Sequence, residues 1–450
     1  MSLRVTDTPL AAVVMAAGLG TRMHSSRPKH LHELLGRRLV DWAITAVEEL
    51  EPSPLVVVTS PGTLEELEGT VPEGVELALQ ESPRGTGDAV ASARPSLTGF
   101  AGDVVVMAGD SPLLSGAELR RLLDEHRRAG AAATVLSFEP ADSGSYGRIV
   151  RDGSGRLRAI VEARDASAEQ LAIREVNSSV YVFDADALWE GLTHLDTDNV
   201  RGELYLTDAV RRLVDDGRAV AVYRAEDPRV GEGVNTRADL AAAGAHLRAE
   251  IIAGHLEAGV TVVDPATTWI EPEVEIEPDA IIHPFTVLRG RSIVRRAAEV
   301  GPHAVVVDAE VGEGALVGPF CYLRPGTALA ARAKAGTFVE LKNAQIGEGT
   351  KVPHLSYLGD AEVGDGTNVG AGTITANFAH EPGREKGRTT IGRNVRTGIH
   401  NGLEAPVTIG DGAWIGGGSY ITEDVPPESL AIARARQVTK EGYLRGKRND

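Results

Sequence analysis

Residues 311–316 read VGEGAL, and variants of the string return as IGEGTK at 346–351, VGDGTN at 363–368 and IGDGAW at 409–414. On either side of these strings an aliphatic residue recurs every six positions. One row runs Ile276, Ile282, Leu288, Val294, Val300 and Val306, and a second runs Val311, Val317, Leu323, Leu329, Ala335 and Leu341. After a one-residue slip come Ile346, Val352 and Leu358, after another Val363 and Val369, and near the end Ile409, Ile415 and Ile421. A period of six matches neither a helix nor an ordinary strand. It predicts a parallel β-solenoid in which each hexapeptide forms one side of a triangular coil. The aliphatic residue then points inward, and glycine or another small residue turns the corner.

From residue 10 to about 235 the pattern is different. Short β-branched runs, among them Leu55-Val56-Val57-Val58, 103–107 and 133–136, alternate with helical periods. They predict an α/β domain with a largely parallel sheet and ligands at the strand C-termini. The apolar run from Leu10 to Ala17 passes into a loop holding Gly18, Gly20 and Arg22, with Lys29 close behind. Glycine lets backbone N–H groups approach an anion, and the two cations neutralise phosphate oxygens; a Gly-x-Gly after a strand also serves as a plain turn. The loop lacks the third glycine of the dinucleotide fingerprint and the Gly-Lys-Ser/Thr of a P-loop.

Farther along, Gln80 and Gly85-Thr86-Gly87 suit either the reading of a flat base edge or an ordinary turn. Asp110, at the end of the strand 103–107, suits either Mg²⁺ or a helix N-cap. Glu162 lies beyond a predicted β-pair around the turn 152–155, where it can meet a sugar hydroxyl or solvent. Asn177 and Asn235 each follow apolar residues, with the same two readings. Residues 236–258, rich in Ala, Leu, His and Glu and followed by Gly259, predict a helix linking a domain at 1–235 to one at 259–450.

Composition narrows the function classes. A length of 450 residues with 42% apolar content predicts two globular domains. A net charge of −18 opposes non-specific binding to nucleic acid, and local cationic loops still allow small anionic ligands. The single cysteine, Cys321, excludes an internal disulfide and a cysteine-based zinc site. No apolar stretch approaches the roughly 20 residues of a membrane span, and residues 1–10 lack the basic-then-apolar order of a signal peptide, so the expectation is a cytoplasmic protein without a membrane partner. The basic run at 445–448 reads as a solvated terminus.

The string AAGLGTRM at 16–23, followed by Pro28-Lys29, resembles the signature of sugar-phosphate nucleotidylyltransferases. Further strings are IVEARDA at 160–166, GELYLTD at 202–208, EGVNTR at 232–237, LRPGT at 323–327, FVELK at 338–342 and HLSYLGDAEVG at 354–364. With them, the chain from about 10 to 440 is similar to the bifunctional N-acetylglucosamine-1-phosphate uridylyltransferase / glucosamine-1-phosphate N-acetyltransferase family. That resemblance implies a Rossmann-like α/β nucleotidylyltransferase domain followed by a left-handed parallel β-helix, an exception to the right-handed crossover rule.

In the first half the resemblance implies UTP held by the backbone of Met15, Ala16, Ala17 and Gly18 with Gln80, Gly85 and Thr86. Arg22 and Lys29 would take its phosphates, and Asp110 and Asn235 would ligate Mg²⁺. Gly147, Glu162, Asn177, Thr207 and Asn235 would grip the sugar phosphate. In the second half His354 would be the general base for acetyl transfer from acetyl-CoA, with Glu340 orienting its imidazole. Arg324, Lys342, Tyr357, Asn368 and Lys386 would bind the amino-sugar phosphate, and Ala371, Asn377, Phe378, Ile399, Gly417 and Arg434 would line the coenzyme groove. A homotrimer with active sites between neighbouring coils is also implied. The product, UDP-N-acetylglucosamine, feeds bacterial envelope synthesis.

Several positions depart from the family pattern. Asp88 stands where a histidine usually follows the base-reading glutamine, Asn177-Ser178-Ser179 replaces Asn-x-Gly, and Asn377-Phe378-Ala379-His380 replaces Asn-Tyr-Asp-Gly. Gly398-Ile399-His400 replaces Gly-Ser-Asp, and the loop to Lys386 is about three residues longer. Losing the serine hydroxyl costs on the order of 1 kcal/mol of binding. The alternatives are a divergent paralogue with another sugar, nucleotide or acyl donor, a nucleotidylyltransferase whose solenoid is only a scaffold, and a non-catalytic sugar-nucleotide binding protein.

Overall fold

The computed structural model describes residues 8–18, 20–378 and 386–445. Ala379, His380, the loop leading to Lys386 and the tail beyond Arg445 lie outside the described residues. The chain divides after Leu247 into two compact units.

Among the described residues of the first unit, the β-branched runs form one nine-stranded sheet. Its strands are β1 (Leu10–Ala16), β2 (Leu55–Thr59), β3 (Val75–Leu79), β4 (Asp103–Ala108), β5 (Ala133–Phe138), β6 (Arg148–Arg151), β7 (Leu157–Val161), β8 (Val176–Asp184) and β9 (Val220–Arg224). The order is β9-β5-β8-β4-β1-β2-β3, with the β6–β7 hairpin attached to β8. All neighbours in the main order are parallel except β8, which runs antiparallel to β4 and β5. Alternation along β1 explains its continuous apolar run: Ala11, Val13 and Met15 enter one apolar cluster, and Ala12, Val14 and Ala16 enter the other.

Helices α1 (Leu39–Glu48) and α3 (Gly116–Ala129) cover one face, and α2 (Thr86–Ser92), α4 (Ala185–Thr193) and α5 (Leu206–Asp215) cover the other. Helix α3 illustrates why the sequence stops and starts where it does. The Ser115 hydroxyl accepts from the Glu118 N–H, His126, Arg127 and Arg128 sit at the negative end, and Gly130 closes the helix at φ 56°. Helix α6 (Arg237–Glu257) begins with Thr236 and Asp239 capping one another's backbone N–H groups, at 2.8 and 3.1 Å.

The second unit is a three-sided parallel β-helix. Successive strands fall on three different sheets, and each pairs with the strand one coil later. Ile281 faces Glu299 18 positions on, while Val294 faces Val311 17 positions on, so the one-residue slips in the sequence are short coils that keep the register. Every aliphatic position of the six-residue rows, from Ile276 to Ile421, belongs to one buried cluster. One corner holds bulky residues in left-handed conformation: Phe285, His303, Phe320 and Phe338, with φ between 54° and 59°. Their rings stack in sequence, with centroids 4.7, 4.8 and 5.3 Å apart.

Cys321 points into this core. Its thiol donates to the Gly336 carbonyl at 2.7 Å, and burial pushes its pKa up to about 11. Folded protein at pH 8 is therefore expected to resist alkylation by iodoacetamide at Cys321, with labelling appearing only across the denaturant transition of the solenoid, as read by intact mass.

Candidate active sites

The C-terminal ends of β1, β3 and β4 open onto a cleft of about 600 Å³. It is lined by Met15, Ala17, Gly18, Arg22, Lys29, Gln80, Gly85, Thr86, Asp110, Gly147, Glu162, Asn177 and Asn235. These residues, scattered over more than half of the first unit in sequence, meet because parallel strands end on one edge. Ala16 and Thr207 do not line it. Ala16 faces the opposite apolar layer, and Thr207 lies behind Glu162, donating to its Oε1 at 3.2 Å. Tyr146, Arg201 and His30 line the cleft as well, and no local spacing in the sequence singles them out.

The loop after β1 owes its path to Gly20. This residue sits at φ 59°, and a Cβ there would fall 2.4 Å from the Cβ of Lys29, so the lysine can pass only beside a glycine. The Lys29 ammonium reaches across to the Asp110 carboxylate in an ion pair with both side chains largely shielded. It also donates to Asn235 Oδ1 at 3.2 Å, and Arg22 Nη2 donates to the same oxygen at 2.8 Å. Burial alone would raise the Asp110 carboxyl, but the Lys29 charge overrides it and holds the group below the ordinary aspartate value. Asp110 is not a helix cap, since Ser115 caps the helix that follows.

An Asp carboxylate and an Asn oxygen converging on one cation, here an ammonium, are a donor pair that fits Mg²⁺, which takes few protein oxygens and completes its shell with water and phosphate. Among the described residues no group of three or more His, Cys, Asp or Glu side chains is arranged to hold a metal. On the far wall, Glu162 is half-buried, and burial first, then neighbouring Asp165, pushes its carboxyl up. Gly147 and Asn177 are tied together by the Asn177 N–H donating to the Gly147 carbonyl at 2.8 Å. Gln80 and Asp88 are joined by a hydrogen bond of 2.8 Å.

In the second unit the structure gathers one group of cations. Lys342 and Lys386 come within hydrogen-bond range, and the Lys386 charge lowers Lys342 below the ordinary lysine value. Arg324 lies near Tyr357 and donates to Glu340 Oε1 at 2.9 Å. Asn377 is nearly buried and donates to Asp360, which also accepts from Asn343 at 2.7 Å. The Glu340 carboxylate, expected to orient the His354 imidazole, accepts from Arg324. The register places Glu340 opposite Tyr322 and Tyr357, so its carboxylate meets Arg324, while His354 lies on another face opposite Thr337. Among the described residues the exposed His354 side chain has no hydrogen bond.

The corner that holds the stacked rings, followed past His354, carries the remaining positions. Ala371 accepts from the His400 N–H at 2.7 Å, Gly417 lies against Ile399, and the Arg434 side chain reaches the neighbouring Gly418. Ile399 and Phe378 are exposed. Asn368 bridges Lys351 and Arg396 in the first face of the solenoid.

The His30 ring beside the cleft is buried, its Nδ1 has no partner, and burial with the adjacent Lys29 lowers its pKa to about 4. The unfolded chain binds this proton near 6.5 and the folded chain only near 4, so stability falls as pH drops from 6.5 to 4. His30→Val is expected to remove about 3 kcal/mol of that acid loss in urea titrations at the two pH values. Ser179 sits at φ 63°, a conformation that glycine adopts without cost. Ser179→Gly should raise the first-unit unfolding free energy by about 1 kcal/mol, measured in the same titrations.

A family model described as MobA-like NTP transferase domain matches residues 12–181. The chain is 48% identical over 461 residues to the bifunctional protein GlmU of Streptomyces coelicolor, spanning 98% of this chain and 95% of the relative. It is 45% identical over 463 residues to that of Thermobifida fusca, with 98% and 95% covered, and 43% identical over 468 residues to that of Corynebacterium glutamicum, with 99% and 96% covered. No helix among the described residues is long and apolar enough to cross a membrane. With the cleft, the solenoid and this end-to-end identity together, the chain belongs to the bifunctional GlmU family.

Proposed function

We propose that the chain makes UDP-N-acetylglucosamine in two reactions, acetyl transfer from acetyl-CoA to glucosamine 1-phosphate and then uridylyl transfer from UTP to the acetylated product. The observation that carries the second reaction is the meeting of Lys29, Arg22, Asp110 and Asn235 at the mouth of the phosphate loop. A phosphate oxygen of the sugar attacks the α-phosphorus of UTP in line, the bond to the β-phosphate breaks, and pyrophosphate leaves. Lys29 and Arg22 leave their Asp110 and Asn235 partners to neutralise the phosphate oxygens, while Gln80, Gly85 and Thr86 hold the base. Glu162, Asn177 and Gly147 hold the sugar. Mg²⁺, held by Asp110 and Asn235, supplies charge neutralisation along the triphosphate.

For acetyl transfer, the Arg324, Lys342 and Lys386 cations hold the phosphate of glucosamine 1-phosphate. The amine nitrogen attacks the thioester carbonyl, His354 takes the amine proton, and coenzyme A leaves as its thiol after protonation. Since His354 and the cation group lie on different faces of one prism, the site is completed between copies in a homotrimer. Nucleotide and coenzyme co-substrates suit a cytoplasmic enzyme.

A second reading keeps only uridylyl transfer and makes the solenoid a scaffold; it is favoured by the exposed His354 side chain having no hydrogen bond among the described residues. Mass spectrometry of products from glucosamine 1-phosphate, acetyl-CoA, UTP and Mg²⁺ tests the whole sequence, and absence of UDP-N-acetylglucosamine would sink it. His354→Ala should abolish thiol release with pyrophosphate release intact, whereas Lys29→Ala should cut pyrophosphate release by about 100-fold or more and leave thiol release. Absence of thiol release from the wild type would establish the scaffold reading, and undiminished release in His354→Ala a different base.

A further inference from the structure

We infer that Asp88 fixes the polarity of the Gln80 amide and thereby sets which nucleobase the cleft accepts, an inference that rests on the cleft being the nucleotide site. Gln80 stands at the end of β3, its backbone N–H donating to the Thr59 carbonyl at 2.8 Å, with its side chain on the cleft wall and 5% exposed. Its Nε2 donates to the Gly85 carbonyl at 3.3 Å and to Asp88 Oδ2 at 2.8 Å. A carbonyl and a carboxylate can only accept, so both amide protons are committed and the reverse orientation of the amide would set oxygen against oxygen. Among the described residues the Gln80 Oε1 meets no donor, and it is not among the sealed, partnerless polar atoms, so it is open to the cleft.

Asp88 is itself held. It is 8% exposed, and its other oxygen accepts from Arg84 Nη2 at 2.6 Å. Helix α2 fixes its position, and Gly85, at φ 117°, lets that helix begin against the Leu204 backbone, where a Cβ would lie 2.5 Å from the carbonyl oxygen. The result is a fixed acceptor facing the ligand. Uracil offers an N–H donor at its N3 position, and cytosine offers a lone pair at the same position. The locked amide therefore takes uracil and repels cytosine. A neutral residue at 88 that can both donate and accept would leave only the longer 3.3 Å contact to the Gly85 carbonyl opposing the reversed amide, and so blur the choice. Asp88 acts through Gln80 and is a positioning residue.

The test compares full-length wild type and Asp88→Asn. Titration calorimetry measures binding of UTP and CTP with Mg²⁺, and pyrophosphate release with N-acetylglucosamine 1-phosphate measures turnover. Wild type should prefer UTP over CTP by about tenfold or more in both readouts, and Asp88→Asn should bring the ratio to within about threefold, with the loss for UTP falling on KM rather than kcat. A wild type that binds the two nucleotides equally, or an Asp88→Asn variant that keeps the full preference, overturns the inference. Should Asp88→Asn fail to fold, Arg84→Ala, which loosens the outer side of Asp88, takes its place with the same readouts: a narrowed ratio supports the inference and a full preference overturns it. Preserved UTP-over-CTP binding without any turnover would sink uridylyl transfer while leaving the Asp88 lock standing.

Discussion

The Lys29–Asp110 ion pair joins three segments of the first unit that are far apart in sequence. Lys29 comes from the loop after β1, Asp110 from the end of β4, and Asn235, which shares the lysine, from the turn before α6. Removing one partner of such a shielded pair strands the other charge and typically costs about 3–5 kcal/mol, so the arrangement couples cleft geometry to folding. It also explains how two cations can stand next to each other without a bound phosphate. The Asp110 carboxylate and the Asn235 side-chain oxygen satisfy them.

The solenoid solves a different problem with repetition. Each coil contributes three inward aliphatic side chains and three rows of backbone pairing, so the core grows by addition and contacts stay between neighbouring coils. The polar residues that interrupt the pattern are held by register: Glu340 lies between Tyr322 and Tyr357, which puts its carboxylate within reach of Arg324. Burial of Cys321 belongs to the same logic, since its place in the row calls for a small apolar side chain.

The prism was legible in the sequence because a six-residue period is dictated by geometry alone, and every aliphatic position of the rows lies in the core. The α/β unit was legible for a similar reason, as the continuous apolar run of β1 requires cover on both faces. The antiparallel course of β8 was not, because strand direction depends on where the β6–β7 hairpin returns the chain. Local spacing likewise gave no sign of the bond between Gln80 and Asp88 or of the left-handed backbone at Ser179. Both depend on side chains and strands meeting from separate segments. The pairing of Glu340 with Arg324 was missed because resemblance supplies a residue's role without its rotamer.

The 17- and 18-position coils have a consequence for how such a chain can change length. Between Val363 and Ile391 the pairing spans 28 positions, yet the stack resumes in step. Excising a whole coil would leave every later side chain on its own face of the prism. Excising a single hexapeptide would turn everything downstream by a third of a revolution, carrying each polar group to the wrong wall while the aliphatic interior stayed filled. Such a protein would fold and be chemically mute.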